Sequence, residues 1–186
     1  MRKNDFIFKY NDIILNINNS SFISIVGSNN IDIYNTFLNN KNINTISYKD
    51  LSNDYNSVSD KVKYKIINSL KSKKILVINN ILNLLDINDY KTVLKALKSY
   101  SLKGHIVINI TNISEETLFS DRMIVIYNNK LLFDDEPLNV LSNEKIMKRI
   151  GIGLPFIVEL NRYLMDYNLI DNYYLSNKKL VGALWK

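Results

Sequence analysis

A short polar turn between an apolar run and a helix-like segment is the stretch of this chain that could do chemistry. The run Phe22–Val26 is apolar and β-branched, it breaks at Gly27, and Ser28, Asn29 and Asn30 follow before apolar residues resume at helical spacing. A buried strand, a tight turn and a helix form a phosphate-binding loop, in which the free N–H groups of the helix N-terminus face an anion. The pattern predicts such a loop, with these four turn residues as its candidate phosphate contacts.

The charged residues that such a loop uses are absent. A functional loop reads G-x-x-x-x-G-K-[ST], with a lysine on the β- and γ-phosphates and a hydroxyl on Mg²⁺. Aligned without gaps from Gly27, this chain has Asp32 at the second glycine, Ile33 at the lysine and Tyr34 at the hydroxyl. Asp32 would place a negative charge where phosphate binds. The sequence therefore predicts the strand, turn and helix of a phosphate-binding loop, but without the residues that bind phosphate and Mg²⁺.

Composition excludes several classes of site. The 186 residues fit one domain, there is no cysteine, and His105 is the only histidine, so thiolate and multi-histidine metal sites are excluded. The net charge of +6 is scattered, without a basic-aromatic motif, which favours a solvated surface over nucleic-acid binding. Because no apolar run approaches a bilayer span and the N-terminal residues lack a signal-peptide core, we expect an intracellular chain.

Strand-like and helix-like segments alternate along the chain. The predicted strands are Asp5–Tyr10, Ile13–Ile17, Ser21–Val26, Ile43–Tyr48, Lys74–Ile78, His105–Ile110, Met123–Ile126 and Leu131–Phe133. The predicted helices are Ile31–Leu38, Val58–Leu70, Asp86–Tyr100, Ser114–Phe119, Leu138–Leu141, Glu144–Ile150, Pro155–Tyr167 and Asn177–Trp185. This order is typical of an α/β domain with a mostly parallel sheet. We expect the first three strands to form an antiparallel flap that leads into the core sheet.

Two segments resemble the nucleotide motifs of the ATP-binding cassette (ABC) ATPases. In Lys74–Asp86, KILVINNILNLLD, Asn79 stands where the family has its Mg²⁺-orienting aspartate and Asn80 where it has the catalytic glutamate. In Gly104–Glu116, GHIVINITNISEE, Asn112 replaces the histidine that senses the γ-phosphate. The resemblance implies a P-loop NTPase-like fold in which all three catalytic positions are occupied by asparagine. Because positioning and electrostatics supply nearly all the rate of phosphoryl transfer, we expect no ATP hydrolysis.

Two further residues become nucleotide-binding candidates through the same resemblance. Tyr10 matches the family's aromatic that stacks on adenine, although packing within its strand is the simpler interpretation of this residue. Asp86 matches the end of the family's Leu-Asp loop, and it could equally cap a helix. The resemblance also implies a deletion, because only Asn39–Lys73 lies where the family has a helical subdomain and its signature sequence. The nearest signature-like fragments are Leu51-Ser52-Asn53 and Val58-Ser59-Asp60.

The C-terminal region resembles one subfamily, the A component of energy-coupling-factor (ECF) transporters, which import vitamins, cobalt and nickel. We divide the chain into an α/β core, residues 1–143, and a helical extension, residues 144–186. The candidate interface residues of this extension are Phe156, Leu160, Tyr163, Leu164, Tyr167 and Trp185. The first five recur on one helical face. The resemblance implies a contact between subunits, whereas the pattern alone would equally allow the face to pack on the core.

Two function classes follow from this sequence. The first is a degenerate, non-hydrolysing subunit of an ECF-type ABC transporter with a structural or regulatory role. The second is an interaction or scaffold domain on a remnant ABC ATPase fold, without a role in transport. For the first we expect no bound cofactor, ATP and Mg²⁺ included, and a paralogous ABC ATPase subunit or a second copy as partner. An ECF transmembrane component is a further expected partner, which would place the chain at the cytoplasmic face of the membrane.

Overall fold

The computed structural model describes residues 6–51, 57–71 and 73–185 of the chain. Some positions named above lie outside these ranges. They are Asp5 of the first predicted strand, Ser52 and Asn53 of one signature-like fragment, and Lys186 at the end of the C-terminal extension.

Strands and helices alternate in the order that the sequence predicts. The strands are β1 (Phe6–Tyr10), β2 (Ile13–Ile17), β3 (Ser21–Gly27), β4 (Ile43–Ile46), β5 (Ile75–Asn79), β6 (Ile106–Ile110), β7 (Arg122–Tyr127) and β8 (Lys130–Asp135). The α-helices are α1 (Asn30–Leu38), α2 (Val58–Ser69), α3 (Ile87–Leu102), α4 (Ser114–Thr117), α5 (Pro137–Leu141), α6 (Glu144–Arg149), α7 (Phe156–Asp166) and α8 (Asn177–Leu184). Single 3₁₀ turns cover Tyr48–Asp50 and Leu82–Leu84.

The main sheet confirms the α/β class. Within the described ranges it contains six strands in the order β4-β5-β6-β3-β7-β8, and β1 pairs with β2 in a separate antiparallel hairpin. All pairings in the main sheet are parallel except that of β8 with β7. The prediction that the third strand continues the flap is wrong, because β3 lies in the sheet between β6 and β7. The physical reason is that Phe22–Val26 are buried on both faces, whereas β1 and β2 bury alternate residues only.

Helices cover both faces of this sheet. On one face, Ile25 and Ile108 pack with Ile33 and Phe37 of α1 and with Phe8 of the hairpin. On the other face, apolar residues of β3, β5 and β6 pack against α2 and α3; they include Phe22, Leu76, Val107, Val62, Ile66, Val93 and Leu97. The ends of the strands, where the candidate residues lie, are therefore held from two sides.

The C-terminal extension shares its packing with the sheet. Met147 of α6, Val158 of α7 and Ile152 between these helices pack in one cluster with Val26 and Val125. The structure thus joins residues on both sides of the predicted 143/144 boundary, and the division into two domains stays a prediction. In the part of the chain that the structure describes, none of the helices has the length and the apolar character needed to cross a membrane.

A buried polar group lies on the α3 side of the sheet. Glu116 of α4 is 2% exposed, and its Oε2 accepts a hydrogen bond from Asn109 Nδ2 at 2.9 Å. Its Oε1, together with Asn109 Oδ1 and Ser24 Oγ, is buried without a hydrogen-bond partner in the described ranges. Burial raises the pKa of Glu116, and hydrogen bonds from Asn109 and Thr111 oppose that rise. The fold therefore favours the protonated form of this carboxyl group.

Replacing Glu116 with glutamine is expected to stabilise the protein, and more at pH 8 than at pH 4. The raised pKa means that the wild type loses stability as pH rises from the unfolded value of about 4.3 towards the higher folded value. Glutamine carries no charge, so we expect a gain on the order of 1–3 kcal/mol at pH 8, measured by urea unfolding. Glu115→Gln on the same helix is the control, since Glu115 is exposed. An equal effect of both variants, or no dependence on pH, would contradict this account.

Candidate functional site

The turn after β3 is shorter than a phosphate-binding loop. Strand β3 ends at Gly27 and α1 begins at Asn30, so only Ser28 and Asn29 lie between them. A G-x-x-x-x-G-K loop places four residues between its glycines, and their N–H groups surround the phosphates. Here the N–H of Ser28 already donates to the carbonyl oxygen of Ile126, at 3.3 Å. The turn is therefore shorter than such a loop, and one of its N–H groups is already used within the fold.

The start of α1 shows where the structure places the residues of the gap-free alignment. Ile33 is fully buried in the core, so the position assigned to the phosphate-binding lysine does not face the turn. Asp32 lies in the first turn of α1 and is exposed. Its carboxylate stabilises the positive end of the helix and repels an anion that approaches there. The repulsion of a phosphate by Asp32 stays a prediction, and it would act from the first turn of the helix.

Gly27 is required by a close approach of strands. A Cβ atom at this position would lie 2.7 Å from the carbonyl oxygen of Ile126 and 3.1 Å from Cδ1 of Ile33. The first distance is shorter than real Cβ contacts allow. The glycine therefore lets β3 end against β7 and α1, which is a structural role.

The asparagines at the catalytic positions meet at one edge of the sheet. Asn30 Nδ2 donates to Asn112 Oδ1 at 2.7 Å, which joins α1 to the end of β6. The N–H of Asn112 donates to Asn80 Oδ1 at 3.2 Å, and Asn80 Nδ2 donates to Asn79 Oδ1 at 3.2 Å. Asn80 has a positive φ of 48°, and its N–H donates to the carbonyl of Ile110 at 2.9 Å. We call these four asparagines the amide chain.

The amide chain is electrically neutral and largely satisfies itself. Three of its side-chain oxygens, on Asn79, Asn80 and Asn112, already accept hydrogen bonds from within the group. Binding of Mg²⁺ uses carboxylate or phosphate oxygens, and the developing charge of phosphoryl transfer needs cations. Among the residues that the structure describes, no three histidine, cysteine or acidic residues lie close enough to hold a metal ion. The arrangement can tie strand ends together, but it offers no charge to a nucleotide.

Two open cavities adjoin the amide chain. One, of about 270 Å³, lies between the turn after β3, the end of β7 and the segment Ile150–Ile152 of the C-terminal extension. The other, of about 370 Å³, lies between α1 and the 3₁₀ turn at Tyr48, and Asn79 and Asn80 form part of its wall. Residues of the extension therefore reach the edge of the sheet where the candidate nucleotide residues lie.

Tyr10 is placed as a packing residue. Its side chain is 6% exposed in the apolar cluster that includes Phe8 and Ile33. Its hydroxyl donates to Asn129 Oδ1 at 3.0 Å and so links the hairpin of β1 and β2 to the turn between β7 and β8. The ring is thus packed within the core, and its stacking on adenine stays a prediction.

Asp86 is placed as a helix cap. Its carboxylate accepts hydrogen bonds from the N–H groups of Asn88 and Asp89, at 3.0 and 2.8 Å, and so begins α3. Its own N–H donates to Ser59 Oγ at 3.0 Å. These hydrogen bonds of Asp86 join α3 to α2, and none of them reaches the amide chain.

Sequence reasoning missed a charged cluster between α2 and α3. Lys63 Nζ lies 2.8 Å from Asp89 Oδ1 and 3.1 Å from Asp60 Oδ1, and Ser59 donates to Asp89 Oδ2 at 2.7 Å. The hydrogen bond from Lys63 lowers the pKa of Asp89, and bonds from Ser57 and Lys63 lower that of Asp60. The i, i+3 spacing of Asp60 and Lys63 was a visible signal, whereas the contact with Asp89 depends on how the helices pack.

The predicted interface face of α7 is largely exposed. Phe156 is 72% exposed, Tyr163 47% and Tyr167 76%, while Leu160 and Leu164 are half-buried. The opposite side of α7 packs on the domain through Val158 and Asn161, which are 1% and 0% exposed. Trp185, at the end of the described chain, is 85% exposed. The structure brings the five α7 residues onto one surface, which we call the tail face.

The chain has the fold of the ABC ATPases. The solved structure of CbiO1 from Clostridium perfringens, described as part of the ABC transporter complex CbiONQ, matches with a TM-score of 0.53 at 16% identity, covering 84% of this chain and 96% of that one. A chain of an inward-facing metal-chelate type ABC transporter matches with a TM-score of 0.54 at 12% identity, covering 76% of this chain and 84% of that one.

The sequence is similar to ATP-binding proteins of ECF transporters. It is 26% identical to EcfA1 of Mycoplasma mobile over 148 residues, which cover 78% of this chain and 53% of that protein. It is 36% identical to EcfA1 of Listeria monocytogenes over 81 residues, which cover 43% of this chain and 29% of that protein. No protein-family model matches the chain. The predicted resemblance is confirmed, and the chain spans about half or less of the length of these relatives.

Proposed function

We propose that this chain is a non-hydrolysing ABC subunit of an ECF-type transporter for vitamins or metal ions, with a structural or regulatory role. The observation that carries the proposal is the amide chain, which fills the catalytic edge of an ABC-type sheet with neutral groups. The similarity to ECF ATP-binding proteins supports the choice of transporter class. The chain has the ABC fold but lacks the charged residues that ATP hydrolysis needs. This combination is expected of a subunit that is selected for its assembly with partners and not for hydrolysis.

The loss of activity follows from the charges that the site lacks. ABC-type hydrolysis uses a lysine on the phosphates, carboxylates for Mg²⁺ and water, and a sensor of the γ-phosphate. Here Asn79, Asn80 and Asn112 occupy three of these positions by resemblance, and Ile33 is in the core. Electrostatic stabilisation of the transition state is the largest single contribution in most enzymes, so the combined loss is severe.

We infer that the chain binds no cofactor tightly, ATP and Mg²⁺ included. Three of the four candidate turn residues have a structural task, since Gly27 allows close packing, the N–H of Ser28 is used, and Asn30 belongs to the amide chain. Asp32 in the first turn of α1 opposes a phosphate by about 1 kcal/mol or more at ~4 Å. Asn29, Tyr10 and Asp86 supply no compensating positive charge.

The tail face is the proposed contact with a partner subunit, either a paralogous ABC ATPase or a second copy of this chain. Three exposed aromatic residues on one helix face, Phe156, Tyr163 and Tyr167, are the kind of anchors that carry binding energy in interfaces. Trp185, which is 85% exposed, is a further candidate contact at the C-terminal end of the described chain. Such a contact, together with an ECF transmembrane component, would hold the chain at the cytoplasmic face of the membrane.

The experiment is capture of the assembly from detergent-solubilised native membranes with an affinity-tagged chain. We expect ECF subunits to be identified by mass spectrometry with the wild type, and a loss of at least about tenfold with Phe156→Ser, Tyr163→Ser and Tyr167→Ser combined. The control variant carries Ile14→Ser and Leu102→Ser, which replace apolar residues that are 65% and 70% exposed elsewhere. Absence of every ECF subunit from the captured material would overturn the transporter assignment and favour the scaffold alternative.

A further inference from the structure

A second exposed apolar surface lies away from the amide chain. A groove of about 740 Å³ runs along α3 and the turn that follows α4. Its floor includes Ile87 and Phe119, which are 65% and 46% exposed, together with Tyr90 and Leu94. The rings of Tyr90 and Phe119 meet edge to face with centroids 6.1 Å apart, which fixes both in place. A cluster of exposed large apolar residues of this kind marks an interaction surface.

One rim of the groove is basic. Lys91, Lys95 and Lys98 line it at i, i+4 and i+7 of α3, so they form one row along the helix. Lys98 pairs with Asp121, whereas Lys91 and Lys95 have no acidic partner among the described residues. Burial raises the pKa of the Tyr90 hydroxyl, and the nearby Glu116 and Glu115 add to that rise. The groove thus combines an apolar floor with a row of lysines along one side.

Helix α7 carries the complementary pattern. Its exposed residues Phe156, Tyr163 and Tyr167 form an apolar stripe, and Glu159 and Asp166 follow one side of that stripe at i+3 and i+10. Its only basic residue, Arg162, is paired with Glu144 of α6. The acidic pair is seven residues apart, about 10.5 Å along a helix, which equals the spacing of Lys91 and Lys98. An apolar stripe with acids on one side matches an apolar groove with lysines on one side.

We propose that this groove receives the tail face of a second copy of the chain. The inference rests on the proposed function, in which the tail face makes a subunit contact, and it names the surface that the tail face meets. Each copy carries both surfaces, so two copies related by a two-fold axis would fill both grooves and close the assembly. Leu118 of the groove and Val158 of α7 also belong to one apolar cluster, so both surfaces border the same part of the domain.

The test is sedimentation velocity of the intact chain over a concentration series at low and moderate salt. We expect reversible dimers, and a dissociation constant raised at least about tenfold by Lys91→Glu combined with Lys95→Glu. Adding Glu159→Lys and Asp166→Lys to that variant should restore dimers, because the tail face then presents positive charges to the two reversed positions of the groove, while Lys98 stays paired with Asp121. The control is Lys41→Glu with Lys103→Glu, which makes the same change in net charge at exposed positions outside both surfaces.

The outcomes separate this inference from the proposed function. If the three serine substitutions in the tail face abolish association while the lysine reversal does not, the tail face is an interface and the groove is not its receptor. If the variant with exchanged charges does not form dimers, the groove is not the surface that binds the tail face. A chain that stays monomeric at all concentrations would exclude the dimer, and capture of ECF subunits would still decide the proposed function.

Discussion

ATP turnover by the purified chain with Mg²⁺ is expected to stay at the level of a heat-denatured control. A working enzyme of this general type would reach about 1–10 s⁻¹. Here the turn after β3 is too short to enclose phosphates, and Asn79, Asn80 and Asn112 bond to each other or to Asn30. Loss of one preorganised charge or donor costs about 10²–10³ in rate, so the combined loss leaves nothing measurable.

A variant that restores part of the family motif tests the expected lack of ATP turnover more stringently. Asn79→Asp with Asn80→Glu restores the two carboxylates of the family motif, and we still expect no turnover. The reason is that neither change lengthens the turn or supplies the missing lysine. Phosphate release should be followed with radiolabelled ATP, and thermal unfolding should confirm that the double variant is folded. Turnover near 1 s⁻¹ in the wild type, lost in Asn80→Ala, would show that the amide chain is a functional site.

Restoring the lysine of the motif at Ile33 is expected to destabilise the protein strongly. Gap-free alignment makes Ile33→Lys look like a repair, but the isoleucine is fully buried against Gly27 and the core. The ammonium group of a lysine at this position would be buried among apolar side chains, without an acidic partner. We expect a loss of about 3–5 kcal/mol of unfolding free energy, which is a large part of the ~5–15 kcal/mol by which ordinary domains are stable.

Ile31→Lys is the matched control for this substitution. Ile31 lies on the same helix and is 72% exposed, so we expect its replacement to change stability by no more than about 0.5 kcal/mol. Both variants would be compared by circular dichroism and urea unfolding, with calorimetric titration of ATP. A stable Ile33→Lys protein that binds ATP more tightly than the wild type would mean that α1 begins later than the structure shows.

Local sequence determined the elements of this protein. β-Branched runs such as Phe22–Val26 and Ile75–Ile78 form strands because their residues suit burial in a parallel sheet. Asp86 begins α3 because its carboxylate can reach N–H groups two and three residues ahead. The resemblance to the ABC ATPases depends on the same short segments, which is why fold class and the asparagine substitutions could both be predicted.

The tertiary structure decided which side chains meet and which are buried. Asn30 and Asn112 are 82 residues apart in sequence, and only the order β6-β3 brings them into contact. Burial of Ile33 depends on how α1 packs beside Gly27 and β7, so the gap-free alignment could not show that the position matched to the lysine lies in the core. Burial of Glu116 and the groove along α3 likewise arise from elements distant in sequence. Local sequence patterns determine whether a segment forms a strand or a helix. The residues that pack against the segment determine which of its side chains are buried and which make contacts.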